Sequence, residues 1–270
     1  MAEGHLVARW AQRLRALIGQ PLELVELPAR WGERAPGLVG QHLADVSTHG
    51  KHLLLRLSGG DTIHCHAMMF GSWQVGKPGM SLRKPAHRIR LRLRTRRGEA
   101  VFFNGPVVEL LTPAELAGHQ RLNSLGPDIL APEFDRDEVW RRLRADPSRE
   151  IAEAIIDQTV VAGIGNIYKS ESLFLAGIDP RATVGSLARA QLDELWDILV
   201  PLMRKGVGAS RMRTRPTPRD GKDHRHWVYQ RRGQSCFRCG AKIARIVQGR
   251  ARRATFFCPS CQPASAFRLT

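Results

Sequence analysis

Four cysteines near the C-terminal end constrain the fold more than any other feature of the sequence. They form two Cys-x-x-Cys pairs, Cys236 with Cys239 and Cys258 with Cys261, and eighteen residues separate the pairs. Each pair can place two thiolates on one metal ion, and the separation suits a β-hairpin that brings the pairs together. A redox-active pair would need no second pair at this distance. The sequence therefore predicts one structural zinc ion held by four thiolates, with no open coordination position for chemistry.

The predicted hairpin between the cysteine pairs is basic, and so is the whole chain. Over 270 residues, 42 Lys and Arg stand against 25 Asp and Glu, which gives a formal net charge of +17. A charge of this size indicates a polyanionic partner, either nucleic acid or an anionic membrane surface. A hairpin with a basic tip is suited to a nucleic-acid groove. The segment AKIARIVQGRARRATFF contains no acidic residue and these cations: Lys242, Arg245, Arg250, Arg252 and Arg253.

The membrane alternative has little support in the sequence. No apolar run approaches the ~18 residues of a spanning helix, and the first residues lack the basic and hydrophobic regions of a signal peptide. We therefore predict a cytoplasmic, nucleoid-associated protein. In that reducing compartment clustered cysteines more often bind metal than form disulfides.

Hydrophobic periodicity predicts a β region followed by a helical region. An opening helix is indicated by Leu6, Trp10, Leu14 and Leu17, which recur at helical spacing. The segment KHLLLRLSGGDTIHCHAMMF has two apolar runs around a turn, which is typical of a hairpin. The segment RIRLRLRTRRG alternates arginine with apolar residues, as in a strand with one buried face. From residue 112, DRDEVWRRLRAD, SREIAEAIIDQTVV and SLARAQLDELWDILVPLMRKG have helical spacing. The next segment, VGASRMRTRPTPRDGKDHRH, has the composition of a linker or loop.

A glycine turn interrupts the helical region within DQTVVAGIGNIYKSE. Gly163 and Gly165 break the apolar pattern, and Asn166 begins what the pattern predicts to be a new helix. Backbone N–H groups at such a turn can bind a phosphate, and the Asn side chain can add a donor or cap the helix. The motif by itself is weak, and a purely structural turn is the alternative.

Six segments, taken in order, resemble the formamidopyrimidine-DNA glycosylase and endonuclease VIII family of base-excision repair enzymes. They are EGH at residue 3, THGKHLL, LGPDIL, DQTVVAGIGNIYKSE, VYQRRGQSC and RATFFCPSCQ. The resemblance covers residues 2 to about 262. It implies a multidomain α+β fold: an N-terminal β-sandwich with an opening helix over residues 1–115, a helix-two-turn-helix domain over 116–222 and a zinc-finger hairpin over 223–264.

The resemblance implies that the N-terminus carries the chemistry. The amine of residue 2, exposed after Met1 is removed, attacks the sugar of a damaged nucleotide and forms a Schiff base, and elimination then cuts the strand. Glu3 matches the acid that protonates the sugar or the leaving base, and Lys51 matches the lysine that assists base loss and elimination. An α-amine has a pKa near ~8, against ~10.4 for lysine, so more of it is neutral at pH 7.

The resemblance also implies DNA contacts in three other places. Asn166 matches the asparagine that grips a phosphate beside the lesion. Arg253 matches the finger arginine that binds phosphate and supports the second elimination, with Arg250 and Arg252 close enough to compete for the role. The wedge residues Met68, Met69 and Phe70 match the side chains that fill the gap left by the flipped base. Burial of at least one wedge residue in the core is the alternative.

Two departures from the family pattern bear on the activity. Residue 2 is Ala instead of Pro, so the imine can lose a proton from nitrogen, and the extent of the second elimination stays open. The stretch VFFNGPVVELL lacks the Arg-Phe pair of the formamidopyrimidine branch. EGH and the Met68–Phe70 segment favour the endonuclease VIII branch, which acts on oxidised pyrimidines.

The sequence leaves three functions to be compared. We predict a monomeric, bifunctional glycosylase and abasic-site lyase that acts on damaged double-stranded DNA. A family member that binds damaged or abasic DNA with weak or no lyase activity is the first alternative, because residue 2 is Ala. A zinc-ribbon regulator or RNA-binding protein is the second, and it leaves Glu3, Lys51 and the GIGN segment unexplained. For His64 and His66 we expect packed or hydrogen-bonded side chains, with an inert buried thiol at Cys65 between them.

Overall fold

The chain folds into two compact units, each with its own apolar core. The computed structural model describes residues 2–209, 211–216 and 224–264. The units are Met1–Ser124 and Leu125–Thr270. A large buried cluster fills the first unit, and two clusters fill the second.

The first unit begins with the predicted helix, α1 (Gly4–Leu14). Its buried face includes Val7, Trp10 and Leu14, at the three- and four-residue spacing that the sequence shows. The helix packs on the strands of the sheet that follows it. A short 3-10 turn over Arg15–Leu17 then ends the element and buries Leu17.

The strands of the first unit form two antiparallel sheets that enclose a common core. One sheet has the strand order β2-β3-β4-β8 and the other β1-β6-β7-β5. Val46 and Leu55 from the first sheet belong to the same buried cluster as Leu91 and Phe102 from the second. The predicted β-sandwich is therefore confirmed. The strands are β1 (Leu24–Glu26), β2 (Leu43–His49), β3 (His52–Leu57), β4 (Thr62–His66), β5 (Ser72–Gly76), β6 (Ile89–Arg94), β7 (Glu99–Phe103) and β8 (Val107–Leu111).

Local patterns correctly predicted the pairing of individual strands. Strands β3 and β4 form the expected hairpin, with Leu53 opposite Cys65. In β6, Leu91 and Leu93 are fully buried, Arg90 before them is exposed, and Arg92 between them is half-buried. After β8, the helix α2 (Pro113–Ala117) begins at a capping box formed by Thr112 and Glu115.

The second unit contains the helical region. After α3 (Gln120–Asn123), which closes the first unit, its helices are α4 (Arg136–Arg144), α5 (Ile151–Ala154), α6 (Asn166–Leu175) and α7 (Arg189–Gly208). None of the helices in the described residues combines the length and hydropathy needed to cross a bilayer. The predicted linker after α7 lies partly outside the described residues, at 210 and 217–223.

The segment SREIAEAIIDQTVV is helical over one turn only, α5, although its spacing predicts a longer helix. Side chains explain the early end. The Asp157 carboxylate accepts hydrogen bonds from the backbone N–H and the hydroxyl of Thr159, at 2.9 and 2.7 Å. Such side-chain to backbone bonds compete with helical ones. The chain therefore leaves the helix before the glycine turn.

The second unit ends in a two-stranded antiparallel hairpin of β9 (Ala244–Gln248) and β10 (Arg253–Phe257). Gln248 lies opposite Arg253 and the turn Gly249–Arg252 joins them. This is the hairpin that the cysteine spacing predicts.

Candidate functional site

Ala2 and Glu3 are buried in the first unit. Ala2 is 7% exposed and Glu3 is 1% exposed. Glu3 precedes α1, and its carbonyl oxygen accepts hydrogen bonds from the backbone N–H groups of Leu6, at 2.9 Å, and Val7, at 3.3 Å. These residues therefore have the fixed backbone that a reactive terminal amine requires.

Lys51 lies in the two-residue turn between β2 and β3. His49 and His52 close this turn as a paired position of the ladder. Gly50 has a φ of 59°, the conformation that the first central residue of a type II′ hairpin turn requires. Because α1 packs against β2 and β3, the helix that follows Glu3 lies on the two strands whose turn carries Lys51.

The wedge residues lie in the loop between β4 and β5, and all three are exposed. The exposed fractions are 46% for Met68, 46% for Met69 and 76% for Phe70. The alternative that one of them is a core residue is therefore wrong. Three neighbouring apolar side chains on the surface are unusual and indicate a binding surface.

A histidine network lies behind this loop. His52 Nδ1 is 2.8 Å from His64 Nε2, and His64 Nδ1 is 2.7 Å from a Glu109 carboxylate oxygen. His119 Nε2 is 3.3 Å from the same oxygen, and its Nδ1 accepts the backbone N–H of Leu122. These bonds assign the protons: His119 donates through Nε2, and His64 and His52 donate through Nδ1.

The donor atoms of His64, Glu109 and His119 lie within 4.8 Å of one another, a spacing that a metal ion could bridge. The hydrogen bonds account for the three groups without an ion, because each ring nitrogen facing Glu109 carries a proton. Burial lowers the pKa of His64, against the opposing effect of the Glu109 carboxylate. Burial also raises the pKa of the Cys65 thiol. Hydrogen-bonded histidines and a buried thiol at Cys65 are therefore confirmed.

The glycine turn in the second unit is organised by Gln158. Its side-chain oxygen accepts the Gly163 N–H at 3.0 Å, and its amide nitrogen donates to the carbonyls of Ile156 and Ile164, at 2.7 and 3.1 Å. Gly163 has a φ of 104°, which is unfavourable for other residues. The turn directs the chain into α6, which begins at Asn166 as predicted.

The structure brings Asn166 and Arg253 together. The Asn166 side-chain nitrogen donates to the Ala254 carbonyl at 2.8 Å, and Lys169 Nζ lies 3.4 Å from the same oxygen. Since Ala254 follows Arg253 in β10, the start of α6 and the finger hairpin present these two residues side by side. The Asn166 side-chain oxygen is buried without a hydrogen-bond partner.

A cavity of about 320 Å³ borders this junction. Lys169, Arg250 and Arg253 line it together with Glu153 and Asp157. Asp157 forms an ion pair with Arg149 at 2.8 Å. The cations contributed by α6 and the hairpin turn suit an anionic ligand such as a phosphate group.

The four cysteine sulfur atoms converge at the base of the hairpin. The Cys236 and Cys261 sulfurs are 3.9 Å apart, and those of Cys239 and Cys258 are 3.4 Å apart. All four lie within 4.8 Å of one another. A tetrahedral site with Zn–S distances of ~2.3 Å has sulfur–sulfur edges of about 3.8 Å. The four cysteines can therefore bind one metal ion.

Glu171 is a structural residue that the sequence analysis missed. Its carboxylate is fully buried in α6 and accepts the backbone N–H groups of Trp227, Val228 and Tyr229, each at 2.8 Å. It also accepts a hydrogen bond from the Thr214 hydroxyl. Glu171 therefore fixes the segment that leads into the finger. Both partners lie in segments that carry the family resemblance, because Glu171 ends DQTVVAGIGNIYKSE and Val228 begins VYQRRGQSC, but nothing in the sequence indicated that they bond to each other.

Two family models match the chain. The formamidopyrimidine-DNA glycosylase N-terminal domain matches residues 1–106, and the formamidopyrimidine-DNA glycosylase H2TH domain matches residues 125–216.

Similar proteins extend the match over the whole chain. A Streptomyces coelicolor protein named "Probable endonuclease 8 2" is 39% identical, covering 99% of this chain and 96% of its own length. "Endonuclease 8" of Escherichia coli is 32% identical, covering 97% of this chain and all of its own length. The "DNA-(apurinic or apyrimidinic site) lyase Nei2" of Mycolicibacterium smegmatis is 35% identical over 82% of each chain. The Lactococcus lactis formamidopyrimidine-DNA glycosylase, solved with abasic-site DNA, superposes with a TM-score of 0.79 at 25% identity, over 97% of this chain and 100% of that one.

Proposed function

The chain belongs to the formamidopyrimidine-DNA glycosylase and endonuclease VIII family, on its endonuclease VIII side, and we propose that its chemistry starts at the amine of Ala2. It is a base-excision-repair DNA glycosylase with abasic-site lyase activity. The observation that carries this proposal is the burial of Ala2 and Glu3 at the start of α1. A reactive amine has to be held against the sugar, and a loose terminus could not do this.

In the proposed reaction the neutral amine of Ala2, freed by removal of Met1, attacks the anomeric carbon of the damaged nucleotide. The bond between sugar and base breaks, and the base leaves with a proton. Glu3 is the acid that supplies a proton to the sugar or the base. The C1′–O4′ bond of the sugar then breaks, the ring oxygen takes a proton, and the C1′–N bond becomes the C=N bond of a Schiff base. Loss of a proton from C2′ expels the 3′ phosphate, and Lys51 assists base loss and this elimination.

Alanine changes the state of the intermediate, compared with proline. A proline amine gives an iminium that keeps its positive charge. The imine of a primary amine can lose its nitrogen proton and become neutral, which weakens the electron sink for elimination. We therefore propose that the first elimination proceeds and that the second is slower than in a proline-bearing relative.

The proposed substrate is damaged double-stranded DNA. Solved neighbours of the chain are complexes with abasic-site or damaged DNA. Asn166 and Arg253 would grip phosphates beside the lesion, and the wedge residues Met68, Met69 and Phe70 would fill the gap beside the flipped nucleotide. Oxidised pyrimidines are the proposed lesions, because the Arg-Phe pair typical of the formamidopyrimidine branch is absent from VFFNGPVVELL.

Zinc is the metal we propose for the four cysteines, since four thiolates at tetrahedral spacing match its preferred ligands. It would stabilise the hairpin that carries Arg253. We further propose the three-part division into residues 1–115, 116–222 and 223–264, a monomeric state, and a location with the chromosomal DNA in the cytoplasm, where the substrate is.

Borohydride trapping tests the role of Ala2. The protein is incubated with duplex DNA that carries one abasic site, reduced, digested and analysed by mass spectrometry. We expect a cross-link at the Ala2 amine. The variant Glu3→Gln should still cross-link at a pre-formed abasic site, while base release from an oxidised-pyrimidine duplex falls by about 10²–10⁴-fold.

Other outcomes would redirect the proposal. A cross-link at Lys51 alone would move the nucleophile to that turn. Tight binding to abasic DNA without any cross-link would favour the alternative in which Ala at residue 2 leaves a damage-binding protein without lyase activity.

A further inference from the structure

The wedge residues lie in a loop that is closed by two hydrogen bonds. The Gly71 N–H donates to the Ala67 carbonyl at 2.8 Å, which closes a turn around the three exposed side chains. Inside it, the Met68 N–H donates to Nδ1 of the His66 ring at 3.1 Å. The loop is thus tied to the end of β4 at both of its sides.

Residue 71 has to be glycine, because its backbone lies very close to the backbone of Ala67 in this turn. A Cβ atom at residue 71 would lie 2.6 Å from the Ala67 Cα and 2.7 Å from the Ala67 carbonyl oxygen. Both are backbone atoms of the strand end, so neither can move aside like a flexible side chain. Any other residue would open the turn.

Met68 needs the second bond because its backbone is strained. Its φ is +47°, in the left-handed region that is unfavourable for a residue with a Cβ atom. Without a compensating contact this residue would relax to a negative φ, and the direction of the three side chains would change. The bond from its N–H to His66 supplies that contact.

His66 can accept this bond only as a neutral ring with its proton on Nε2. Its pKa is lowered to about 4 by burial, with further effects of Lys51, His64 and Arg121. Its ring packs on that of His52, its partner across the β3–β4 ladder, at a centroid distance of 4.5 Å. His52 is itself held by the bond to His64, so the network behind the loop fixes the orientation of His66.

We propose that His66 and Gly71 are positioning residues that hold Met68, Met69 and Phe70 as a preformed wedge before DNA binds. This inference rests on the proposed function, in which these side chains enter the duplex. Three apolar side chains on a flexible loop would lose conformational entropy on insertion, and a loop closed in advance has already lost it. The histidine network therefore assists insertion of the wedge residues into the duplex, although the histidines themselves do not contact the DNA.

A matched pair of variants tests the role of His66. His66→Asn keeps an acceptor oxygen near the position of Nδ1, and His66→Phe keeps the ring but has no acceptor. Gly37→Ala is the control, because Gly37 is exposed and a Cβ there meets nothing within 4 Å. Hydrogen exchange of the Met68 amide in the free protein reads the bond itself. The fluorescence of 2-aminopurine, placed opposite a tetrahydrofuran abasic analogue, reads insertion of the wedge.

We expect His66→Phe to speed exchange at Met68 and to weaken binding of the tetrahydrofuran duplex about three- to tenfold, the effect of one hydrogen bond. His66→Asn should stay within about twofold of the wild type. Phe70→Ala should lose the fluorescence response while the Met68 amide stays protected. A simple loss of stability would not give this pattern.

The outcomes separate this inference from the proposed function. If the wild type binds the analogue no better than intact duplex, the proposed function fails and takes the inference with it. If the wild type responds, Phe70→Ala does not, and His66→Phe behaves as the wild type in both measurements, only the inference fails. Should His66→Phe not fold, His66→Leu replaces it, and fast Met68 exchange in the wild type would also overturn the role of His66.

Discussion

Two surface loops lie at or next to proposed DNA contacts, and they are held in different ways. The wedge loop between β4 and β5 presents apolar side chains, and the finger turn Gly249–Arg252 presents cations. Each contains a non-glycine residue with positive φ, Met68 at 47° and Arg252 at 48°. Both loops therefore store backbone strain, but what holds each loop differs.

The wedge loop is held by bonds to His66 and Ala67, at the end of β4, whereas the finger turn is held by residues outside its hairpin. At the base of the finger turn, the Gln248 side chain donates to a Glu150 carboxylate oxygen at 2.7 Å and to the Pro180 carbonyl at 3.1 Å. The cysteine cluster and Glu171 hold the rest of the finger. An apolar loop has to resist collapse, and a charged turn has only to be placed near phosphate. The wedge loop therefore depends on hydrogen bonds between neighbouring residues, and the finger turn depends on bonds to residues far away in the sequence.

Loss of the metal should have the largest effect, because it should disrupt the finger turn and leave the wedge loop intact. In Cys258→Ser the finger loses a thiolate, and structural zinc sites contribute about 10–16 kcal/mol to folding of small zinc domains. We expect affinity for abasic DNA to fall by about a hundredfold or more, while the Met68 amide stays protected. Metal analysis and binding titrations measure this. Cys65→Ala, at the buried thiol outside the cluster, is the control and should keep its metal.

The next largest effect should come from alanine substitution at Gly71 in the wedge loop and at Gly249 in the finger turn. Gly71→Ala should lower the free energy of unfolding of the first unit by about 2–3 kcal/mol, since the new Cβ meets backbone. At Gly249, with φ +66°, the new atom meets the flexible Glu153 side chain, so we expect about 1 kcal/mol. Urea unfolding compares both with Gly37→Ala. Equal costs at the two loops would contradict the comparison.

Acid should weaken the first unit more than the second. His5 and His52 are buried, and burial lowers their pKa values to about 4 and about 2. Below the ordinary value near ~6.5 the unfolded chain takes up protons that these folded rings do not, so the free energy of unfolding falls. The decrease attributable to His52 should be about 1–2 kcal/mol between pH 7 and 5.

The second unit supplies the reference for this pH dependence. Among its described histidines, His226 has a pKa lowered mainly by burial, whereas four histidines of the first unit, His5, His52, His64 and His66, have lowered pKa values. Hydrogen exchange at pH 7 and 5, corrected for the intrinsic rate, compares peptides of the two units. A first unit as stable at pH 5 as at pH 7 would disprove the burial of neutral histidines.

The smallest expected effects distinguish DNA binding through charge, at Arg253, from DNA binding through apolar contact, at Phe70. Arg253→Ala should weaken DNA binding about tenfold or less and reduce the slope of log affinity against log salt by about 1, as expected for one phosphate contact. Phe70→Ala should weaken binding of abasic DNA without changing that slope. Arg245→Ala removes the same charge from β9, away from the turn, and should have less effect. A reduced slope in Phe70→Ala would show that the wedge binds through charge.

Much of the candidate site could be predicted because its signals are local in the sequence. The Cys-x-x-Cys pairs predicted the hairpin and the sulfur cluster, and alternation in β6 predicted its buried face. The start of α6 at Asn166 followed from the glycine turn. The length of α5 could not be predicted from its spacing, because Asp157 and Gln158 bond to the backbone and end the helical pattern there.

The sequence by itself determined the cysteine cluster, the amphipathic elements and the family, since each depends on residue types at short or fixed spacing. Only the tertiary structure decided that His66 holds the Met68 backbone, that Glu171 accepts the N–H groups before the finger, and that Asn166 joins β10. The Glu171 and Asn166 bonds reach backbone groups that packing brings near from distant parts of the sequence. The His66 bond spans only two residues, but it forms in a loop where Met68 has positive φ. A backbone N–H or carbonyl has the same chemistry at every residue, so the sequence carries no record of which one a side chain will reach.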